Sequence, residues 1–317
     1  MPERFREDDF HAFIRSHANA LGPHVLQGPG DDLAVMDFHG HSLLMGVDQV
    51  IEGVHFVPGT SPEAIGRKAV TRNISDVAAM ACRPVATLAS CALPMDVSAS
   101  FAERLVDAVR RTAQLFNAPL VGGDTALHRN AGPLMLSVTV LAEPLSPTRA
   151  PVLRSTAKVD DRLFVTGLLG GSFRPDGSGR HLDFEPRVDE AEALATTLGE
   201  SLHAMMDLSD GLAHDAARMA MASGLQAVID AAALPCSPGC GWRNAMGDGE
   251  DYELLLAVGG GRAVPAHVGR SRTPTRAIGL MRAMPSPDAP RVICMLDDIE
   301  MAVDQLGRFN DGMATGA

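Results

Sequence analysis

Residues 28–38 read Gly28-Pro29-Gly30-Asp31-Asp32-Leu33-Ala34-Val35-Met36-Asp37-Phe38: a glycine turn, two carboxylates, then an apolar run that predicts a strand over 33–38. Aspartate at the edge of an apolar run recurs at Val47-Asp48, Ser75-Asp76, Gly122-Gly123-Asp124 and Asp207-Leu208-Ser209-Asp210. Asp disfavours strand and helix interiors, so at such junctions it is expected at a sheet edge or helix start, facing a cleft. Carboxylates gathered in one cleft repel each other. Magnesium, held by Asp oxygens, water and substrate phosphates, is the cation expected to relieve that repulsion.

Outward from these junctions, strand and helix patterns alternate. A helix is expected over 4–20, with Phe10, Phe13 and Ile14 on one face, and a strand over 42–47. Ser61 and Pro62 read as the cap and first residue of a helix running to Ala81. On it Lys68, Arg72 and Asp76 fall at i, i+4, i+8, which predicts one face turned into the cleft. A buried strand over 85–93, a helix over 100–116, a short strand over 119–121 that delivers Gly122-Gly123-Asp124, and a strand over 134–141 complete this half. The proline-rich stretch Pro144 to Pro151 reads as a linker and divides the chain into residues 1–147 and 148–317. Beyond it are expected a strand over 162–166, a Gly/Ser-rich loop over 167–179 and a helix over 188–198. Asp207 to Asp210 then open a helix that Gly224 ends, and strands follow over 225–229 and 252–258. From Gly259 onward Pro, Gly and charge obscure the pattern.

A chain of 317 residues is long for one core, so two α/β units are expected. A net charge of -12 without a basic block argues against a nucleic-acid surface. The absence of a secretory leader pattern and an odd count of 5 cysteines fit a reducing cytoplasm. Cys236 and Cys240 have no second Cys/His pair at ligand spacing and read as loop cysteines. No P-loop, no Gly-x-Gly-x-x-Gly dinucleotide turn and no protein-kinase set is present. Phosphate chemistry here therefore falls to Asp-bound metal and glycine turns.

The ordered set Gly28-Pro29-Gly30-Asp31-Asp32, Asp48 with Glu52-Gly53-Val54-His55-Phe56, Lys68 through Asn73-Ile74-Ser75-Asp76-Val77-Ala78-Ala79-Met80, Gly122-Gly123-Asp124-Thr125, Asp207-Leu208-Ser209-Asp210-Gly211-Leu212 and Gly249-Glu250-Asp251-Tyr252-Glu253-Leu254 resembles the thiamine-monophosphate kinase family. The resemblance implies the α/β two-domain fold of aminoimidazole-ribonucleotide synthetase-like proteins. In that fold the N-terminal sheets of two protomers form a barrel-like dimer and a C-terminal α/β domain follows. It implies ATP-dependent, magnesium-dependent phosphorylation of thiamine monophosphate to thiamine diphosphate.

Carried over position by position, it implies magnesium ligands at Asp32, Asp48, Asp76, Asp124, Asp207 and Asp210. It implies ATP contacts from Gly123, Asp124, Arg154 and Ser209, and thiamine monophosphate contacts from His55 and Glu250. Asp124, Asp210 and Arg154 would carry the chemistry. Gly46-Val47 stands where the family has hydroxyls, so water is expected to replace two metal ligands. The aromatic that stacks on the thiamine ring has no clear counterpart, Phe309 being the nearest candidate. Two alternatives stay open: another ATP-using member of the superfamily with a different phosphorylated substrate, and a catalytically weakened nucleotide-binding paralogue. Residue by residue, the aspartates also read as turn and helix caps.

Overall fold

The computed structural model describes residues 7–17, 21–129, 132–303 and 306. Two mixed sheets carry the fold. The first is built from β1 (Val25–Gln27), β2 (Ala34–Phe38), β3 (His41–Ile51), β4 (Cys82–Pro94), β5 (Leu120–His128) and β6 (Met135–Pro144), in the order β1-β2-β3-β6-β4-β5. Its helices are α1 (Glu7–Ser16), α2 (Pro62–Ala79) and α3 (Ala99–Leu115).

The second half contains β7 (Arg162–Thr166), α4 (Val188–Leu198), β8 (Leu202–Asp207), α5 (Leu212–Ser223), β9 (Leu225–Asp230), α6 (Trp242–Gly247) and β10 (Leu254–Val258). It continues with β11 (His267–Val268), β12 (Thr273–Ala283), β13 (Val292–Leu296) and β14 (Ile299–Ala302). The sheet order is β14-β13-β9-β12-β7-β10-β8, with β11 on β12. The strands beyond Gly259 were not legible in the sequence, nor was β8.

Local signals behave as their chemistry requires. Ser61 accepts from the Ala64 amide with Pro62 in the first turn, and Gly224 ends α5 in the left-handed region at φ 70°. α2 is buried on nearly every side, as a helix between two layers must be. Ile65, Val70, Ile74 and Val77 join the core of the first sheet, whereas Ala78 joins a core shared with α4, β8 and β10. A third core lies between the second sheet and α5 and α6.

Three expectations are corrected. Asp48 lies inside β3 rather than past its end, because the strand runs on to Ile51. Gly122-Gly123-Asp124 sits within β5 instead of in a loop after a short strand. β4 alternates buried and exposed residues rather than being buried on both faces, because α2 and α3 cover only one side of the first sheet. On the other side Val47 and Leu88, both in register with Thr139 of β6, are exposed.

Candidate active site

Where α2 meets both sheets, a cavity of about 510 Å³ opens. Its lining includes Asp31, Asp32, Asp48, Asp76, Asp207 and Asp210, set against the guanidiniums of Arg72, Arg154 and Arg218. Segments from both halves of the chain build it. The turn before β2 brings Asp31 and Asp32, β3 brings Asp48, and α2 brings Arg72 and Asp76. The end of β8 and the loop after it bring Asp207, Ser209 and Asp210.

Asp32, Asp76 and Asp207 stand closest, each offering an oxygen within 4.8 Å of the others. Burial pushes all three carboxyl groups upward. Asp76 is raised further by repulsion from Asp48, Asp207 and Asp32, and Asp207, at about 7, by Asp32. Asp31 is likewise raised to about 7, by burial and then by Asp32. Partial neutralisation comes from the chain itself. Arg154 bonds Asp32, its backbone amide donates to Asp31 at 3.1 Å, and the Ser75 hydroxyl donates to Asp207 at 2.6 Å. Arg72 pairs with Asp48 at 3.1 Å and Arg218 with Asp210 at 2.6 Å.

These residues fit a hard divalent cation. Asp32 Oδ2 is a buried oxygen with no hydrogen-bond partner, in a cluster where like charges raise one another's proton affinity. An acceptor oxygen left bare at such a point is what a metal ligand looks like without its metal.

Two loops complete the wall. Leu208 and Tyr252 amides donate to the carbonyls of Glu253 and Leu208 at 2.9 and 2.8 Å, and the Glu250 amide donates to Ser209 at 2.7 Å. The loop before β10 is thereby stitched to the one after β8. The fit is tight: a Cβ on Gly249, already at φ 69°, would stand 2.9 Å from the Ser209 carbonyl oxygen. Tyr252 lines the cavity, stacks on Phe184 at 3.8 Å between centroids, and donates its hydroxyl to Glu250 at 3.0 Å.

The sequence-predicted residues thus fall into three groups. Asp32, Asp48, Asp76, Asp207, Ser209, Asp210 and Arg154 line one cavity. His55 and Glu250 are buried and joined through Lys68, whose ammonium lies 2.7 Å from Glu250 and 2.8 Å from the His55 carbonyl. Lys68 was expected to face the cleft beside Arg72 and Asp76; it is fully buried and does not line the cavity, because that stretch of α2 is covered by the second half of the chain.

Gly123 and Asp124 stand apart. Asp124 pairs with Ser90 on β4, Ser90 with Ser137 on β6, and Ser137 with Gln49 on β3, so two strands separate it from Asp48's strand. That is roughly 14 Å of sheet. Asp124 is exposed on the edge strand. Phe309 lies outside the described residues.

Asp215 and Arg218 were missed. The Asp215 carboxylate accepts from the Ser209 and Asp210 amides at 3.0 and 3.1 Å and pairs with Arg218 at 3.3 Å, holding the loop that carries Asp210. Their i, i+3 spacing directly after Asp207–Asp210 is the signal that marks them. Gly46 has a steric reason: a Cβ there would run into the Leu33 side chain.

The chain matches the model of AIR synthase related protein, N-terminal domain, over residues 30–143 and that of the C-terminal domain over residues 173–268. It is 36% identical over 271 residues to a thiamine-monophosphate kinase of Rhodopirellula baltica, covering 80% of this chain and 82% of that one. To a thiamine-monophosphate kinase of Aquifex aeolicus it is 32% identical over 253 residues, covering 72% and 79%. The fold superposes on the solved structure of AaThiL complexed with AMPPCP and TMP with a TM-score of 0.79 at 26% identity, spanning 98% of this chain and 100% of that one. The acidic cavity is therefore set in a two-domain AIR synthase-like fold, and the chain belongs to the thiamine-monophosphate kinase family.

Proposed function

We propose that this chain transfers the terminal phosphoryl group of ATP to the phosphate of thiamine monophosphate, giving thiamine diphosphate, in a magnesium-dependent reaction. The observation that carries the reading is the convergence of Asp32, Asp76 and Asp207, from three distant segments, to within 4.8 Å in a family member. The acceptor is a phosphate already ionised at neutral pH, so no group has to activate a nucleophile. What remains is to bring two polyanions into line, a task of positioning and charge neutralisation. Magnesium held by Asp32, Asp48, Asp76, Asp207 and Asp210 supplies that neutralisation when bound.

The chain's own cations do the rest. Arg154 reaches the cavity from just after the linker, and Ser209 and the Asp215-held loop set its far side. His55 and Glu250 are assigned to the acceptor. The Ile51 amide donates to His55 Nδ1 at 3.0 Å, which leaves the ring proton on Nε2 as a donor. The test is a coupled ADP assay with thiamine monophosphate, thiamine and buffer as acceptors. ADP formed only with the monophosphate and magnesium is expected; equal ADP with all three would overturn the reading.

The active unit is a homodimer. Support comes from the uncovered sheet face, where Val47 and Leu88 are 65 and 38% exposed, beside an edge strand open to pairing. Asp124 then reaches the cavity of the partner subunit rather than its own. Light scattering should give twice the 33.4 kDa chain mass, and the variant Leu88→Asp should give the single mass with loss of turnover. The cytoplasm is the assigned compartment; all five cysteines are free, and no described helix is long and apolar enough to cross a membrane.

A further inference from the structure

Lys68 is the one lysine of α2, and its side chain is completely buried, an expensive place for an ammonium unless its partners are fixed. Three acceptors surround Nζ: Glu250 Oε2 at 2.7 Å, the His55 carbonyl at 2.8 Å and His181 Nδ1 at 2.8 Å. They come from three separate parts of the chain. His55 follows β3, Glu250 precedes β10, and His181 closes the Gly/Ser-rich segment after β7.

The proton positions follow from the partners. His181 Nε2 lies 3.0 Å from the Gly177 carbonyl, which can only accept, so the ring proton is on Nε2 and Nδ1 accepts from Lys68. His181 is thus a neutral imidazole, held between the lysine and its own loop. The segment is seated closely on the turn that follows β3: a Cβ at Gly177, at φ 80°, would collide with Val57. Glu250 is held twice at one oxygen, by Lys68 and by the Tyr252 hydroxyl at 3.0 Å, and its backbone occupies the left-handed region at φ 57°. A carboxylate so constrained has a single orientation.

Resting on the functional reading above, we propose that Lys68 is a positioning residue for the acceptor side of the site. Its ammonium orients Glu250, ties down the turn that carries His55 and docks residues 167–181 over both. The acceptors named on its ammonium all belong to the acceptor side, none being Arg154 or Ser209, the residues assigned to ATP. Losing it should therefore loosen acceptor binding selectively. A residue that only stabilised the fold would lower the amount of folded protein without separating the two substrates.

The experiment is steady-state kinetics on the full chain, varying each substrate in turn, with melting temperature as a folding control. For Lys68→Met, KM for thiamine monophosphate is expected to rise about 10-fold or more while KM for ATP stays within about 2-fold. His181→Phe, which leaves the Lys68–Glu250 pair in place, should move the same constant in the same direction by less. Should Lys68→Met fail to fold, Lys68→Gln, which keeps an N–H donor, carries the same expectation. Unchanged constants, or equal rises for both substrates, in a folded variant would overturn the proposal. Absence of thiamine monophosphate turnover in the unmodified protein would instead overturn the functional reading, so the two failures are distinguishable.

Discussion

Asp76→Asn is expected to abolish most turnover, by roughly 100-fold or more, and at the same time to raise the melting temperature of the metal-free protein. The two effects share one cause. Asp76 is buried beside Asp48, Asp207 and Asp32, and its carboxyl is pushed well above its usual range by burial and by those neighbours. A carboxylate whose folded-state proton affinity is raised binds more protons in the native than in the unfolded chain. Stability is then lost as the pH rises from the ordinary Asp value, 3.8, through the folded-state value, with Asp31 and Asp207 at about 7 contributing in the same direction. Asn removes one of the repelling charges.

The gain should therefore be present at pH 8 in chelator and shrink as the pH is lowered. It should be of the order of 1 kcal/mol, which is roughly 2–4 °C for a chain of this size. Adding magnesium should reverse the order, because the unmodified site binds the ion and the variant binds it less. Thermal melts of both proteins in chelator and in magnesium, at two pH values, check this. A variant that melts lower than the parent in chelator at pH 8 would remove the electrostatic account of the cavity.

The second large effect concerns Asp124. Asp124→Asn alone should abolish turnover with no change in melting temperature, since the residue is exposed and the structure gives its side chain no internal work. Two strands separate it from the strand of Asp48, and under the proposed dimer it is assigned to the cavity of the other protomer. Co-expression with Asp76→Asn tests this. In a mixed dimer, one cavity lacks both carboxylates and the other has both intact. Random pairing makes half the dimers mixed, so about a quarter of parental activity should return. Were Asp124 to act within its own chain, every site in the mixture would carry a defect and no activity would return. Separately purified and mixed tags give the fraction of hybrid dimers against which the recovery is read.

Much of this architecture was written in local chemistry. Ser61-Pro62 and Gly224 mark helix ends through a hydroxyl cap, a missing amide and a left-handed residue, and each is set by its immediate neighbours. Val188–Leu198 and Arg162–Thr166 have the boundaries their patterns predict. The strands after Gly259 were hidden. They include the central strand of a mixed sheet, β12, which pairs with two strands from much earlier in the chain, β7 and β9. Pairing over such distances leaves a weak local trace.

For the site, sequence alone determined the residue types, their order and the family chemistry they imply, because motif order survives independently of where each segment sits. The tertiary structure decided which of them meet. The i, i+4, i+8 spacing puts Lys68, Arg72 and Asp76 on one helix face, yet Lys68 is enclosed by Glu250 and His181 while Arg72 and Asp76 open to the cavity. Gly122-Gly123-Asp124 looks no different in the sequence from the other acidic junctions, yet two intervening strands hold it away from them. Periodicity records the face of an element on which a residue lies; only the packing of one element against another fixes what that face meets.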